Sequence, residues 1–159
     1  MFGLFKSPPF DDAQLGELQR SGGLWRGSIG ALDGTRVPLA ISGSRKEPDA
    51  QALRAAREVA GRFAGWRPII EKALFDHYQP YAEALADDDS PADGCPATPL
   101  ARASEVWPLV TLVYVAVTPL DDALTTELGY MTSWDEEHTL GARFQGDRFI
   151  ELCGSVLPP

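Results

Sequence analysis

Three carboxylates and an imidazole occupy consecutive positions in Asp135-Glu136-Glu137-His138, directly behind Trp134 and ahead of Thr139-Leu140-Gly141-Ala142-Arg143-Phe144. Side chains of these types can exchange protons as a general acid and base. Joined by His77 or Asp76 from another element, they could hold a divalent metal, since imidazole and carboxylate suit Zn or Mn in open sites. They can also stiffen a chain reversal by accepting hydrogen bonds from backbone N–H groups. The spacing matches no established ligand set, so these uses of Trp134, Asp135, Glu137 and His138 stay open on sequence alone. Nothing else in the chain has the spacing of a nucleophile elbow, a phosphate loop, a dinucleotide fingerprint or a paired-cysteine metal site. The sequence therefore assigns no catalytic residue, metal-ligand set or cofactor.

The remaining reactive groups are scattered. His77 lies between Phe75 and Tyr78 on a helical pattern, where a histidine reads first as a hydrogen-bonded packing residue. Cys95 sits in a Pro/Asp-rich segment and Cys153 ends a strand-like run; Arg148 is the cation nearest to Cys153 in sequence. Ser133 and Ser155 have no identifiable base. Trp25, Trp107 and Trp134 adjoin strand patterns and Trp66 opens a helical one, which marks them chiefly as core aromatics.

The elements that must position these groups are set by hydrophobic period and punctuation. Residues 15–18, 24–29 and 37–41 read as three short strands separated by Gly22-Gly23 and Asp33-Gly34, an antiparallel meander in which Val37, Leu39 and Ile41 share a face. Pro38 cannot donate to a ladder, so the third strand is expected at an edge or to start late. From Asp49 the period changes: Leu53, Ala56, Val59, Ala60 and Phe63 recur at helical spacing, with Arg54, Arg57, Glu58 and Arg62 on much of the opposite side. Gly65 is expected to close this helix. A second helix then begins near residues 66–68, with Pro68 in its first turn and Pro80 as a kink or stop.

Residues 87–103, with Asp87-Asp88-Asp89, three prolines and Gly94, read as a mobile acidic loop. The run 109–117 is apolar on both faces and reads as a central, covered strand. Strands over 124–134, 138–144 and 149–153 come next, with Gln145-Gly146-Asp147 as a hairpin connection. Strands, two helices, then strands predict one α+β domain over residues 1–159: an antiparallel sheet packed by two consecutive helices.

Composition narrows the function classes. The 159 residues are 44% hydrophobic, enough for one proper core, and carry 23 acidic against 14 basic side chains for a formal charge of −9. Nucleic-acid binding rests on neutralising phosphates, so this balance argues against it and favours a basic protein partner. The apolar stretch 106–117 is too short to span a bilayer, and the apolar start 1–5 is too short for a signal peptide. Two cysteines alone suggest no disulfide scaffold, so the expectation is a soluble cytoplasmic protein without a membrane segment. In that setting Asp87, Asp88 and Asp89 would steer a basic partner.

The pattern Trp134-Asp135-x-Glu137-His138-x-Leu140-Gly141, with Phe144 and Gly146 after it, resembles the ending of small bacterial domains of unassigned function. Gly16 and Trp25-x-Gly27 are similar to the opening of such proteins. The resemblance implies a compact α+β domain and points toward the immunity proteins of bacterial toxin systems. It marks Trp134, Asp135, Glu137 and His138 as positions of interest without giving them a role. Three readings result: a non-enzymatic binding module, of which an immunity-type inhibitor is one form; a metal-assisted or acid/base enzyme centred on Glu137 and His138; and a structural clamp at the corner with no site.

Overall fold

The computed structural model describes residues 6–32, 34–87 and 98–159. The one α-helix among the described residues, α1 (Ala50–Ala86), runs for 37 residues, and Asp49 starts it by accepting the Gln51 N–H at 3.2 Å. The buried residues Ala52, Leu53, Ala56, Val59, Phe63, Trp66, Ile70, Leu74 and Tyr78 form one stripe along it. This corrects the expectation of two consecutive helices. The stripe continues through Gly65 at steps of three and four, so burial on one face outweighs the glycine's cost of about 1 kcal/mol. Pro68 and Pro80 both lie inside α1 and are both exposed. Each deprives a carbonyl one turn earlier of its donor, but on the solvent side water can serve that carbonyl, so neither proline ends the helix.

Among the described residues eight strands lie side by side in chain order: β1 (Phe10–Asp12), β2 (Gly16–Ser21), β3 (Leu24–Leu32), β4 (Thr35–Ile41), β5 (Val110–Leu120), β6 (Ala123–Thr132), β7 (Thr139–Gln145) and β8 (Arg148–Val156). Neighbours pair antiparallel except β4 and β5, which are parallel over Leu39↔Val115 to Ile41↔Val117. The sheet is therefore mixed, a second correction. The connection between β4 and β5 contains all of α1, long enough to return the chain to the end from which β4 began. Pro38 is paired with Ser28 of β3, and the ladder to β5 starts one residue later, so its missing N–H costs no bond on that side.

The helix stripe packs against Trp25, Ile29, Val37, Leu39, Ile41, Val115, Val117, Leu128, Tyr130, Leu140 and Phe144, all in one core. The opposite sheet face carries a smaller cluster of Tyr114, Ala116 and Val156. There the Tyr114 ring lies on Gly129, where an added Cβ would come within 2.1 Å of a ring carbon.

Most of the expected acidic loop, Asp88 and Asp89 included, lies outside the described residues, as does Cys95. Within the last part of that expected loop a short 3-10 helix begins, Ala103–Leu109, opened by the Glu105 carboxylate accepting the Ala101 and Arg102 N–H groups at 2.7 and 3.1 Å. Trp107 anchors this turn to α1, donating its indole N–H to Glu71 at 2.5 Å beneath the Arg67 guanidinium, 4.4 Å from the ring centroid.

Candidate functional site

Residues 133–138 connect β6 to β7, and Trp134 and Asp135 of this connection reach His77, Tyr78 and Tyr81 of α1. The connection folds on itself through Thr132, whose hydroxyl accepts the Asp135 N–H at 3.2 Å. That reversal sends Trp134 inward, 5% exposed and part of the core. Its ring meets Tyr78 edge-on at 5.4 Å, and its indole N–H donates to His77 Nδ1 at 3.0 Å. An acceptor nitrogen carries no proton, so neutral His77 has its hydrogen on Nε2. Burial is the main force lowering the His77 pKa; His138 adds to it and the Asp135 carboxylate opposes it.

Asp135 faces the same helix turns. Its side chain is only 7% exposed, and it accepts the Tyr81 hydroxyl at 2.9 Å and His138 Nδ1 at 2.9 and 3.1 Å. Burial alone would raise its pKa, but the hydrogen bonds from His138 and Tyr81 outweigh it and the pKa is lowered. The ionised carboxylate only accepts, which fixes the His138 proton on Nδ1 and leaves Nε2 as the outward nitrogen. Held to a proton by Asp135, the Tyr81 hydroxyl has a raised pKa, with Glu137 contributing through its charge.

The candidate residues thus divide. Trp134 and Asp135 are buried and serve the corner's internal bonding, whereas Glu136, Glu137 and His138 are exposed. His77 and His138 flank one carboxylate without bonding each other. Among the described residues no group of three or more His, Cys, Asp or Glu side chains is placed to hold a metal ion. Tyr81 is the partner that sequence reasoning misses: it falls in the apolar stripe of the helical pattern, although its spacing of four from His77 already puts both rings on one face. The two stack at 5.5 Å.

The corner lies near the C-terminal end of α1, where exposed carboxylates collect. Asp87 caps α1, Glu83 is exposed one turn before it, and the last turn contains no basic residue. A helix C-terminus already carries a partial negative charge, so these carboxylates work against the helix dipole. Tyr81 lies six residues from Asp87, about 9 Å along the axis, which brings Glu136 and Glu137 to the same end.

Cys153 lies on the far face of the sheet, next to an ion cluster of Glu127, Arg143 and Glu151 with bonds of 2.7 Å, onto which the Tyr114 hydroxyl donates. Its neighbouring cation is thus Arg143, not the Arg148 nearest in sequence. Among the described residues no helix is long and apolar enough to cross a membrane.

No curated protein and no solved structure matches the chain. Residues 14–156 match a family model described as a domain of unknown function (DUF6985), so the likeness spans the helix and the segment after it as well as the two ends.

Proposed function

The chain belongs to this family of domains without an assigned function, and from that premise we propose that it is a non-enzymatic protein-binding module whose acidic end receives one basic protein. The observation that carries the reading is the placement of charge against stability. Glu83 and Asp87 stand at the negative end of α1, with Glu136 and Glu137 exposed beside them, and no basic residue in the last helical turn offsets them. Charges that oppose the helix they sit on are accounted for by a partner that neutralises them on binding. Trp134, Asp135, Tyr81 and His77 tie the connection to α1, so binding would order the carboxylate side chains but not the backbone that displays them. An immunity-type inhibitor of a basic toxin is the specific form this function would take.

The test is stopped-flow association with a partner captured at low salt. Replacing Glu136 and Glu137 together by Gln should slow association several-fold at low ionic strength and much less at high, with a melting temperature no lower than that of the wild type. An association rate indifferent to the double substitution at low salt would remove the acidic end from the interface.

A second reading, acid/base chemistry, has one observation in its favour: buried Asp135 orients His138 and leaves Nε2 outward, as an acid/base histidine requires. This moves the centre of that alternative from Glu137 and His138 to Asp135 and His138.

A further inference from the structure

At the other end of α1 the molecule leaves a strand edge open beside two arginines. The β1–β2 hairpin bends away from the sheet: residues 16–18 of β2 pair with β1, and only Gln19–Ser21 pair with β3, over Leu24–Arg26. Beyond Gly27, against which the Glu17 carbonyl and the Leu18 side chain of β2 still lie, β3 continues beside β4 through Ser28↔Pro38 and Ile29↔Val37, with no strand on its other side among the described residues. The gap between the departing hairpin, this free edge and α1 is a cleft of about 350 Å³ lined by Gln14, Ser28, Gly30, Arg36 and Arg57 with apolar Leu15, Ile29 and Ala60.

Both arginines are fixed from behind. Arg57 grips the buried Asp12 carboxylate through Nε at 2.8 Å and through Nη2, while Asp12 also accepts the Gln14 and Leu15 N–H groups at 3.0 and 2.9 Å. Arg57 Nη1 has no partner among the described residues. Arg36 donates Nη1 to the Ser28 hydroxyl at 2.8 Å and lays its guanidinium across Gly30, 3.5 Å from where a Cβ would stand. Planar guanidinium groups with free N–H bonds recognise carboxylates in pairs of parallel hydrogen bonds. The stretch of chain that supplies the cleft residues leans the same way: residues 1–72 carry eleven of the fourteen basic residues and eight of the twenty-three acidic ones.

We propose that this cleft is a second binding site, which takes an extended acidic peptide along the free edge of β3, with its carboxylates on Arg36 and Arg57. The open edge presents main-chain N–H and C=O groups together; a free anion can accept from the N–H groups but cannot donate to the carbonyls, as a peptide does, and the arginines select acidic side chains. The site is independent of the acidic end, so either can fail alone.

Fluorescence anisotropy with a labelled hexapeptide alternating Glu and Val, its Gln/Val counterpart and citrate as competitor tests it. The Glu peptide should bind saturably and the Gln peptide weakly or not at all. Arg36→Gln, which removes only a surface bond to Ser28, should weaken the Glu peptide about tenfold, the loss expected for one charge-assisted pair. Gly30→Glu should abolish binding by placing a carboxylate on Arg36: its backbone is not in the left-handed region and the new Cβ makes ordinary contact. Unchanged melting temperatures for both variants separate these effects from misfolding, and Arg57 is left intact because Asp12 depends on it. Equal binding of both peptides, indifference to Arg36→Gln, or citrate binding with no peptide binding would each overturn the proposal.

Discussion

At the scale of single residues, the corner is a chain of donors and acceptors in which each histidine has one assigned proton position. His77 accepts from Trp134 and so is bound in its neutral form, and burial lowers its pKa. The folded state therefore takes up a proton less readily than the unfolded chain, whose histidine titrates near pH 6.5. Stability from this group is complete above about pH 6.5 and is lost as pH falls through that value toward the lowered folded pKa. Urea midpoints between pH 7.5 and 5 should decline for the wild type. His77→Gln keeps an acceptor for the Trp134 N–H and should flatten that decline; a decline of the same size in the variant would show that His77 is not the titrating group. Asp135 acts in a separate, more acidic window: its lowered pKa gives stability present above about pH 3.9 and lost as pH falls below it.

At the scale of elements, sequence signals are correct where one interaction decides the outcome and fail where two compete. The strands around Gly22-Gly23, Asp33-Gly34 and Gln145-Gly146-Asp147 are legible because each is bounded by turn chemistry; Gly146 has φ of 60°. Local signals misdivide α1 because Gly65 and Pro68 read as a stop and a new start, whereas the burial of Phe63, Trp66 and Ile70 that overrides them is a tertiary effect. The same helix carries a testable cost. Exposed Glu83→Lys near its C-terminus should raise stability by about 0.3–1 kcal/mol in thermal unfolding at low salt. No gain in melting temperature would mean that the carboxylates there are not held against the helix dipole, and the charge argument for the acidic end would lose its basis.

At the scale of the whole molecule, charge is divided along the chain, with basic side chains concentrated before residue 73 and acidic ones after it. The net charge of −9 disfavours the compact state through self-repulsion. Raising ionic strength from 0.01 to 0.15 M shortens the screening length from about 30 to about 8 Å. The urea midpoint should therefore rise over this range with sodium chloride. A midpoint that falls instead would show that attractive pairs such as Arg62 with Glu58 and Asp147 outweigh the repulsion.

The composition of the core, most of the strands, the start of the helix at Asp49 and the crowding of carboxylates around His138 follow from side-chain type and local spacing alone. Long-range packing makes the helix continuous, runs β4 and β5 parallel, and turns β1–β2 away from β3 beyond its first residues. It also decided which corner residues are buried: only packing against His77, Tyr78 and Tyr81 turns Trp134 and Asp135 inward and leaves Glu136, Glu137 and His138 to the solvent. A run of adjacent polar residues carries no record of which side a distant helix will cover.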